Sequence, residues 1–261
     1  MNHRPLLVFD FDGVIVDGME EYWWSARRAA AQLLPSGVPL PQAVPEAFRQ
    51  LRPQVHHGWE MPLLAAVIAG YGQPLAAFHV DYAAALAASL QQLAWSEPQL
   101  TEALDTVRQQ AIATDRQAWL ALHRPYPWML KALQRFDAAG VPWGVLTTKS
   151  AGFTADLLSS HRLHPQVIYG REDGPKPEVL QRLLAQAPAS GPWRFLEDRR
   201  LTLEAVRALP ALDAVHCLLA TWGYLRPGDA QNLPAGIKLL EPEVVTQPLA
   251  QWPAAAIVQA N

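Results

Sequence analysis

The sequence predicts an α/β fold, in which a Rossmann-like parallel sheet is interrupted by an inserted helical domain. From Met19 to about Arg124, alanine, leucine, glutamine and tryptophan recur at helical spacing, and runs of β-branched residues nearly vanish. Outside that segment, short apolar runs alternate with helical patterns, which is typical of parallel strands joined by right-handed crossovers. The chain of 261 residues is long enough for two domains. We place the α/β core domain at residues 1–18 and 125–246, the helical domain at 19–124 and a C-terminal tail at 247–261.

Each strand of the core is recognised as a short apolar run. Residues 6–9 form the first strand, since a run without polar positions is expected where a strand is covered on both faces. After the insert, a helix over residues 128–139 ends at Gly140, because glycine readily adopts the left-handed conformation that closes helices. The other predicted strands are 143–146, 167–169, 193–196, 215–219 and 237–240, and the other predicted helices are 152–159, 177–186 and 202–209.

Helical periodicity divides the insert into separate helices. The longest begins after Ser96, whose hydroxyl is suited to cap a helix N-terminus. The proline-rich stretch at residues 35–45 is predicted to be a loop. The predicted helices cover residues 20–34, 45–51, 61–69, 76–93 and 98–122.

Composition excludes several classes of function. The formal net charge is −3 and the isoelectric point is about 6.2, so the chain lacks the basic field that attracts nucleic acid. Its apolar stretches are shorter than the roughly 20 residues that span a bilayer, and the first residues lead into a strand rather than a secretory signal. Cys217 is the single cysteine, so no internal disulfide can form. We expect a cytoplasmic protein that acts without nucleic acid or membrane.

Acidic residues directly follow the first predicted strand. Asp10 and Asp12 stand two positions apart, and Gly13 and Gly18 allow tight turns around them. Parallel sheets bind ligands at the carboxyl ends of their strands, so both carboxylates are predicted at that edge. Two neighbouring carboxylates resist joint ionisation unless a cation is near. Mg²⁺ binds carboxylate and phosphate oxygens, and the pattern therefore predicts a phosphate-handling magnesium site.

Polar segments after three later strands complete an ordered set of motifs. The set is D-F-D-G-V at residues 10–14, V-L-T-T-K at 145–149, G-P-K-P at 174–177 and F-L-E-D at 195–198. Together these motifs resemble those of the haloacid dehalogenase superfamily, and the resemblance covers the whole α/β part. The helical insert between the first two motifs is similar to the helical, C1-type cap of phosphoglycolate phosphatases and β-phosphoglucomutases. The resemblance implies that residues 19–124 form a cap that closes over the active site.

The resemblance also implies a role for each matching residue. Asp10 attacks phosphorus and forms an aspartyl-phosphate. Asp12 protonates the leaving oxygen and then takes a proton from the water that cleaves the intermediate. Thr147 and Lys176 bind phosphoryl oxygens and stabilise the charge of the transition state. Asp198 holds Mg²⁺ together with Asp10 and the backbone carbonyl of Asp12, so that two anions can meet.

Two motifs carry further candidates. Thr148 and Lys149 are assigned to substrate binding, because backbone amides near a helix start bind anions. In the fourth motif, family members often carry a further aspartate four or five residues after the first, where this chain has Thr202 and Leu203. Glu197 is therefore assigned to the metal site, either as a ligand or as a residue that orients a metal-bound water.

Two other segments have a structural and a functional interpretation. The polar and aromatic stretch at residues 56–60 is interpreted as a specificity loop, with His57 and Trp59 as candidates for substrate binding; a cap turn without function is an equal alternative. A zinc site is disfavoured there, because the stretch lacks a tetrahedral ligand set. Asp17 is assigned to hydrogen bonding within its loop rather than to catalysis.

The sequence therefore predicts a Mg²⁺-dependent phosphatase that acts on a small phosphorylated metabolite, such as phosphoglycolate or a sugar phosphate. A phosphomutase is the alternative among enzymes, in which the phosphoryl group returns to a sugar instead of passing to water. The variant fourth motif motivates another alternative, a phosphate-binding or regulatory protein with weakened catalysis. The substrate and the oligomeric state stay open, because fold-level analogy carries function poorly.

Overall fold

The computed structural model of the chain describes residues 7–186 and 193–253. The strands are β1 (Leu7–Phe9), β2 (Val16–Asp17), β3 (Arg124–Pro125), β4 (Trp143–Leu146), β5 (Val167–Tyr169), β6 (Trp193–Glu197), β7 (Val215–Ala220) and β8 (Ile237–Leu240). The helices are α1 (Met19–Leu33), α2 (Glu46–Leu51), α3 (Glu60–Ile68), α4 (Leu75–Val80), α5 (Tyr82–Leu93), α6 (Glu97–Leu120), α7 (Pro127–Ala139), α8 (Ala151–Ser160), α9 (Lys176–Gln186), α10 (Arg200–Arg207) and α11 (Pro242–Val245). The chain divides into two compact units, Gly18–His123 and the remainder, which we call the helical unit and the sheet unit.

Within the described residues, the sheet unit contains a six-stranded parallel sheet with the order β5-β4-β1-β6-β7-β8. The central strand β1 pairs with β4 and β6, and Phe9 lies opposite both Val145 and Leu196. Because this register is level, the residues that follow β1, β4 and β6 leave the sheet at the same edge. The predicted α/β class with a Rossmann-like parallel sheet is confirmed.

The central strands are largely apolar, as expected for strands that are buried on both faces. Every residue of β1, β4 and β6 is buried. On one face, Val8 and Phe195 join a cluster of buried residues that includes Val179 of α9 and Leu203 of α10. Fully burying such a side chain stabilises the fold by about 1.5–3 kcal/mol, so this core fixes the strand ends firmly.

The strands and helices of the sheet unit follow the sequence pattern closely. The predictions at 143–146, 167–169 and 237–240 match β4, β5 and β8, while β6 and β7 each extend one residue further. The first position of the strand predicted at 6–9 lies outside the described residues. Helix α7 ends as predicted at Gly140, which has a φ of +64°.

Two aspartates divide helices that the sequence pattern predicts as continuous. The predicted helix 76–93 is wrong at Asp81, which separates α4 from α5 and whose Oδ1 accepts the N–H of Ala84 at 3.0 Å. Within α6, Asp115 has a φ of −151° and a ψ of 89°, and its Oδ1 accepts the N–H of Ala118 at 2.9 Å. In both cases the carboxylate caps the turn that follows, which compensates for the interrupted backbone bonding. The predicted cap at Ser96 is confirmed, since its hydroxyl accepts the N–H of Gln99 at 3.4 Å.

A short antiparallel ribbon, which the sequence analysis missed, joins β2 to β3. Val16 pairs with Pro125, and Asp17 pairs with Arg124. Each strand has two residues, too few for a periodic pattern. The ribbon holds together the two points at which the chain leaves the sheet unit and returns to it.

The helical unit packs around α1, which contacts α3 and α6. Glu21 is fully buried and receives two hydrogen bonds from Arg108 of α6, each at 2.8 Å. None of the helices among the described residues is long and apolar enough to cross a membrane. The buried apolar face of α1 shows helical spacing and consists of Met19, Tyr22, Trp23, Ala26, Ala29 and Ala30.

Residues 247–253, at the start of the segment assigned to a C-terminal tail, pack against α7. Trp252 is buried and its ring lies 5.8 Å from that of Phe136. Arg135 donates hydrogen bonds to the backbone carbonyls of residues 245–247. The rest of that segment, residues 254–261, lies outside the described residues.

Candidate active site

The ends of β1, β4 and β6 place four predicted site residues at one edge of the sheet. Asp10 follows β1, Thr147 follows β4, Glu197 is the last residue of β6 and Asp198 comes next. The backbone N–H of Asp10 donates to the carbonyl of Leu196 at 2.8 Å, so the sheet bonding continues into the site. The side chains at this edge are therefore carried by rigid backbone.

Lys176, at the start of α9, lies between two carboxylates. Its Nζ is 2.8 Å from Oδ1 of Asp10 and 2.6 Å from Oε2 of Glu197. Burial lowers the pKa of Lys176, but the attraction of Asp10 and Glu197 outweighs it, and the net change in pKa is upward. The ammonium group therefore stays charged at neutral pH.

Three buried carboxylates lie close together here, and two of them contact Lys176. Asp10, Glu197 and Asp198 each offer an oxygen that lies within 4.8 Å of the others. Burial and then the negative charge of Glu197 raise the pKa of Asp10 to about 8, although Lys176 acts in the opposite direction. Burial also raises the pKa of Glu197. When all three are ionised, the carboxylates carry more negative charge than Lys176 balances, and a bound divalent cation relieves this excess.

Glu197 is already fully engaged with donors. One oxygen accepts the ammonium of Lys176, and the other accepts the backbone N–H groups of Asp198 and Arg199, both at 3.1 Å. These bonds hold the carboxylate in one orientation. Oδ2 of Asp198 accepts the backbone N–H of Tyr224 at 2.8 Å.

Asp12 lies beside Lys149 of the second motif. Oδ2 of Asp12 is 3.4 Å from Nζ of Lys149, and the same ammonium lies 5.2 Å from the ring centroid of Phe153. Oδ1 of Asp12 is buried and has no hydrogen-bond partner among the described residues. A buried polar atom of this kind is costly unless something binds it, so this oxygen is available to a ligand.

Thr147 and Thr148 differ in their surroundings. Thr147 is buried, and its Oγ1 accepts the backbone N–H of Lys149 at 3.1 Å. A hydroxyl that accepts a hydrogen bond can still donate its own proton. Thr148 is exposed. The structure thus brings Asp10, Asp12, Thr147, Lys149, Lys176, Glu197 and Asp198 to the same edge of the sheet unit.

The sequence of the chain matches one known protein family. The family model described as haloacid dehalogenase-like hydrolase matches residues 5–191. The chain belongs to this family. The predicted resemblance is therefore confirmed, and so is the prediction that the chain is an enzyme of this hydrolase superfamily. The match ends before the acidic pair at residues 197–198.

Solved structures share the fold of this haloacid dehalogenase-like hydrolase. A haloacid dehalogenase-like family hydrolase from Streptococcus pneumoniae is 18% identical, with 93% of this chain and 97% of that chain covered and a TM-score of 0.59. A protein assigned as a phosphoglycolate phosphatase from Lactobacillus delbrueckii is 14% identical, with coverage of 93% and 96% and a TM-score of 0.59. A protein assigned as a β-phosphoglucomutase from Thermotoga maritima is 16% identical, with coverage of 92% and 95% and a TM-score of 0.53. No curated protein matches the chain.

The hydrolase has a further set of site residues, in the loop after β7, that sequence reasoning missed. The backbone N–H of Tyr224 holds Asp198, and its hydroxyl donates to Oδ1 of Asp17 at 2.8 Å. Nε1 of Trp222 donates to the carbonyl of Val14 at 3.0 Å. Asp17 does form a hydrogen bond, with a partner in the loop after β7 rather than in its own loop; its assignment to a structural role instead of catalysis stays a prediction. One sequence signal could have identified these residues: their loop, like the four motifs, follows the carboxyl end of a buried strand.

Two glycines allow this loop and the first motif to approach Asp198. A Cβ atom on Gly13, which has a φ of +82°, would lie 1.9 Å from Oδ2 of Asp198. A Cβ atom on Gly223 would lie 2.2 Å from Cβ of Asp198. Both glycines are therefore required by close packing around a candidate metal ligand.

The stretch at residues 56–60 belongs to the helical unit. The buried carboxylate of Glu60 accepts the backbone N–H groups of His56 and His57 and the hydroxyl of Tyr82, the last at 2.6 Å. The rings of His57 and Trp59 stack with centroids 6.4 Å apart. These bonds give the stretch a structural role at the start of α3, and its assignment to substrate binding stays a prediction.

Proposed function

We propose that this hydrolase is a Mg²⁺-dependent phosphatase that cleaves a small phosphorylated metabolite through an aspartyl-phosphate on Asp10. The observation that supports this proposal best is the contact of 2.8 Å between Asp10 and Lys176 beside two further buried carboxylates. A lysine at that distance orients the Asp10 carboxylate and offers positive charge where a phosphoryl group would arrive.

In the first step, an oxygen of Asp10 attacks phosphorus and the bond from phosphorus to the ester oxygen breaks. Asp12 donates a proton to that leaving oxygen, so the product departs as an alcohol. Lys176 and the hydroxyl of Thr147 bind phosphoryl oxygens, and their donors stabilise the charge that develops in the transition state. The unpartnered Oδ1 of Asp12 suits this role, because no protein donor competes for it among the described residues.

In the second step, water attacks phosphorus and the acyl phosphate bond to Asp10 breaks. Asp12, now ionised, takes the proton of the water and returns to its starting state. The products are inorganic phosphate and free Asp10, so the cycle closes without another reactant.

The residues present fit a divalent cation. Asp10 and Asp198 would hold it together with the backbone carbonyl of Asp12, since buried carboxylates with excess negative charge suit a hard cation. A Mg²⁺ ion bound there would neutralise negative charge on both the nucleophile and the phosphate. Glu197 belongs to the same cluster, but its oxygens already accept three donors, and we assign it to the positioning of Lys176.

The finer assignments belong to the same proposal. Lys149 contacts Asp12, and with Thr148 it is assigned to substrate phosphate; residues 19–124, with His57 and Trp59, are assigned to a cap. Phosphoglycolate and sugar phosphates are the first substrates to test. A cytoplasmic location is consistent with Cys217, a buried free thiol whose pKa burial raises to about 12.

Phosphate release from a panel of phosphate esters with Mg²⁺ tests the proposal. Wild type should turn over at least one ester, and Asp10→Asn should lose that activity. The control is Asp213→Asn, because Asp213 pairs with Arg207 on the surface and should not affect turnover. Equal activity of Asp10→Asn and wild type would exclude the mechanism. Turnover that needs a bisphosphate primer would identify a phosphomutase, and phosphate binding without turnover would identify a regulatory protein.

A further inference from the structure

A cleft of about 570 Å³ lies within the helical unit, between α1 and the C-terminal half of α6. Trp24, Arg28 and Gln32 line one wall. They are spaced four residues apart on α1, and this spacing places them on one face of the helix. The opposite wall begins at Val107 and ends at Leu122. The volume of the cleft falls in the range of about 300–1,000 Å³ that is typical of small-molecule sites.

The cleft has an apolar floor and a polar rim. Val107 and Trp119 are buried, whereas Gln110, Thr114 and Asp115 are exposed. The wall bends at Asp115, where α6 is interrupted and the carboxylate caps the following turn. An apolar body would therefore lie on the floor while polar groups face the rim.

Arg28 is the charged residue in the wall that α1 forms. Its guanidinium carbon lies 3.8 Å from the ring centroid of Trp24, so the two groups stack. Its Nη1 is buried and donates to no acceptor within the described residues. Burial and then the charge of Arg27 lower the pKa of Arg28. A partly buried guanidinium with an unpartnered nitrogen, beside a second cation, is stabilised by an arriving anion.

We propose that this cleft binds a small amphiphilic monoanion, with its anionic group on Arg28 and its apolar or aromatic body against Trp24 and Trp119. The rim carboxylate of Asp115 disfavours a dianion such as a phosphate ester, because like charges repel. The ligand class therefore differs from the substrate class of the phosphatase site. The proposal does not depend on that activity.

Three probes of the same shape and different charge test the proposal on the full chain. The probes are 4-phenylbutyrate, 4-phenylbutan-1-ol and 4-phenylbutylamine, and their affinities are measured by isothermal titration calorimetry. Ligands of this size bind with a dissociation constant on the order of 1 mM. We expect the anion to bind at least about tenfold more tightly than the alcohol, since a hydrogen bond to a charged group is the stronger one. The amine should bind most weakly.

Variants of the cleft distinguish this site from others. Arg28→Gln should remove the preference for the anion, and Arg49→Gln is the control that should retain it, because Arg49 is exposed on α2 and does not line the cleft. Ala111→Trp should fill the cleft and abolish binding of all three probes, with Ala111→Leu as the milder variant if the first does not fold. Asp10→Asn should bind the probes as wild type does.

Two kinds of result would overturn the proposal. The first is equal affinity for anion and alcohol in wild type, or a preference for the anion that survives Arg28→Gln. The second is a dimer in sedimentation velocity that Ala111→Trp dissociates, with no probe bound to wild type. That result would show that a second copy of the chain covers the cleft.

Discussion

Both units bury carboxylates, but they compensate them differently. In the helical unit, fully buried Glu21 has a bidentate bond from Arg108 and a further bond from the hydroxyl of Ser25. Glu60 is buried as well and has backbone and tyrosine donors on both oxygens. In the sheet unit, Asp10 shares one ammonium with Glu197 beside a third carboxylate.

This difference teaches that burial of a charge does not by itself mark a functional site. A carboxylate that is fully paired stabilises a fold, or at least costs it little. Uncompensated charge is retained where a ligand completes the set. In this hydrolase Asp10 and Asp12 have that character, whereas Glu21 and Glu60 do not.

The largest expected effect tests the carboxylate cluster of the sheet unit, Asp10, Glu197 and Asp198. Lys176→Met removes the ammonium that Asp10 and Glu197 share, and should lower kcat by about 10²- to 10³-fold. The measurement is phosphate release on the best ester of the panel. The control is Lys131→Met, because Lys131 is exposed on α7. If the two variants were equally active, this carboxylate cluster would have only a structural role, like that of Glu21.

The next largest effect tests the ion pair of Glu21 and Arg108 in the helical unit. Arg108→Ala removes the guanidinium that makes two hydrogen bonds to buried Glu21, and should lower the free energy of unfolding by about 3 kcal/mol. Urea unfolding measures this change. Glu21→Gln in the same chain should restore part of it, since the two sites are coupled. Arg49→Ala, at an exposed position, should stay within about 0.5 kcal/mol of wild type, and an equal loss there would remove the special status of the pair.

A smaller effect is expected from the loop that packs on Asp198. Gly223→Ala would place a Cβ atom 2.2 Å from Cβ of Asp198, so Asp198 must move. The affinity for Mg²⁺ should fall by about 10- to 100-fold. Both the Mg²⁺ dependence of kcat and the rise of Tm with Mg²⁺ report this affinity.

Gly152→Ala is the matched control for that loop. No atom lies within 4 Å of the added methyl group, and the position is helical. Alanine should stabilise α8 by about 0.5–1 kcal/mol and leave Mg²⁺ affinity unchanged. A similar loss of Mg²⁺ affinity in both variants would separate Gly223 from the metal site.

The smallest effects compare two tyrosines that each donate to a carboxylate. Tyr224→Phe removes the bond to Asp17, and Tyr82→Phe removes the bond to Glu60. Each should cost about 1–2 kcal/mol of stability in thermal or urea unfolding. Only Tyr224→Phe should also lower kcat, because losing the hydroxyl bond to Asp17 loosens the loop whose backbone N–H at position 224 holds Asp198. A loss of kcat in Tyr82→Phe but not in Tyr224→Phe would reverse the comparison.

The sequence was sufficient to predict the residues at the strand ends. Buried strands appear as apolar runs, and a parallel sheet brings their carboxyl ends to one edge, so Asp10, Thr147 and Asp198 could be assigned from sequence position. The helix breaks at Asp81 and Asp115 could not, because aspartate within a helical pattern also occurs as an ordinary exposed residue.

The supporting contacts were also hidden from the sequence. Trp222 bonds to Val14 across more than two hundred positions of the chain, a separation over which no local pattern extends. The orientation of Glu197 depends on backbone N–H groups and on the position of Lys176, which are known only from the folded chain. Both sets of contacts determine the geometry of the site, and neither requires a residue type that a sequence pattern would reveal.

The ribbon of β2 and β3 has a consequence for how this chain can diversify. Because Asp17 and Arg124 are paired neighbours, the backbone ends that flank residues 18–123 lie roughly 5 Å apart. A segment grafted between them needs only adjacent termini of its own and imposes no change on the register of the large sheet. The sheet unit can thus exchange the segment between β2 and β3 as a module while its own strand order stays the same.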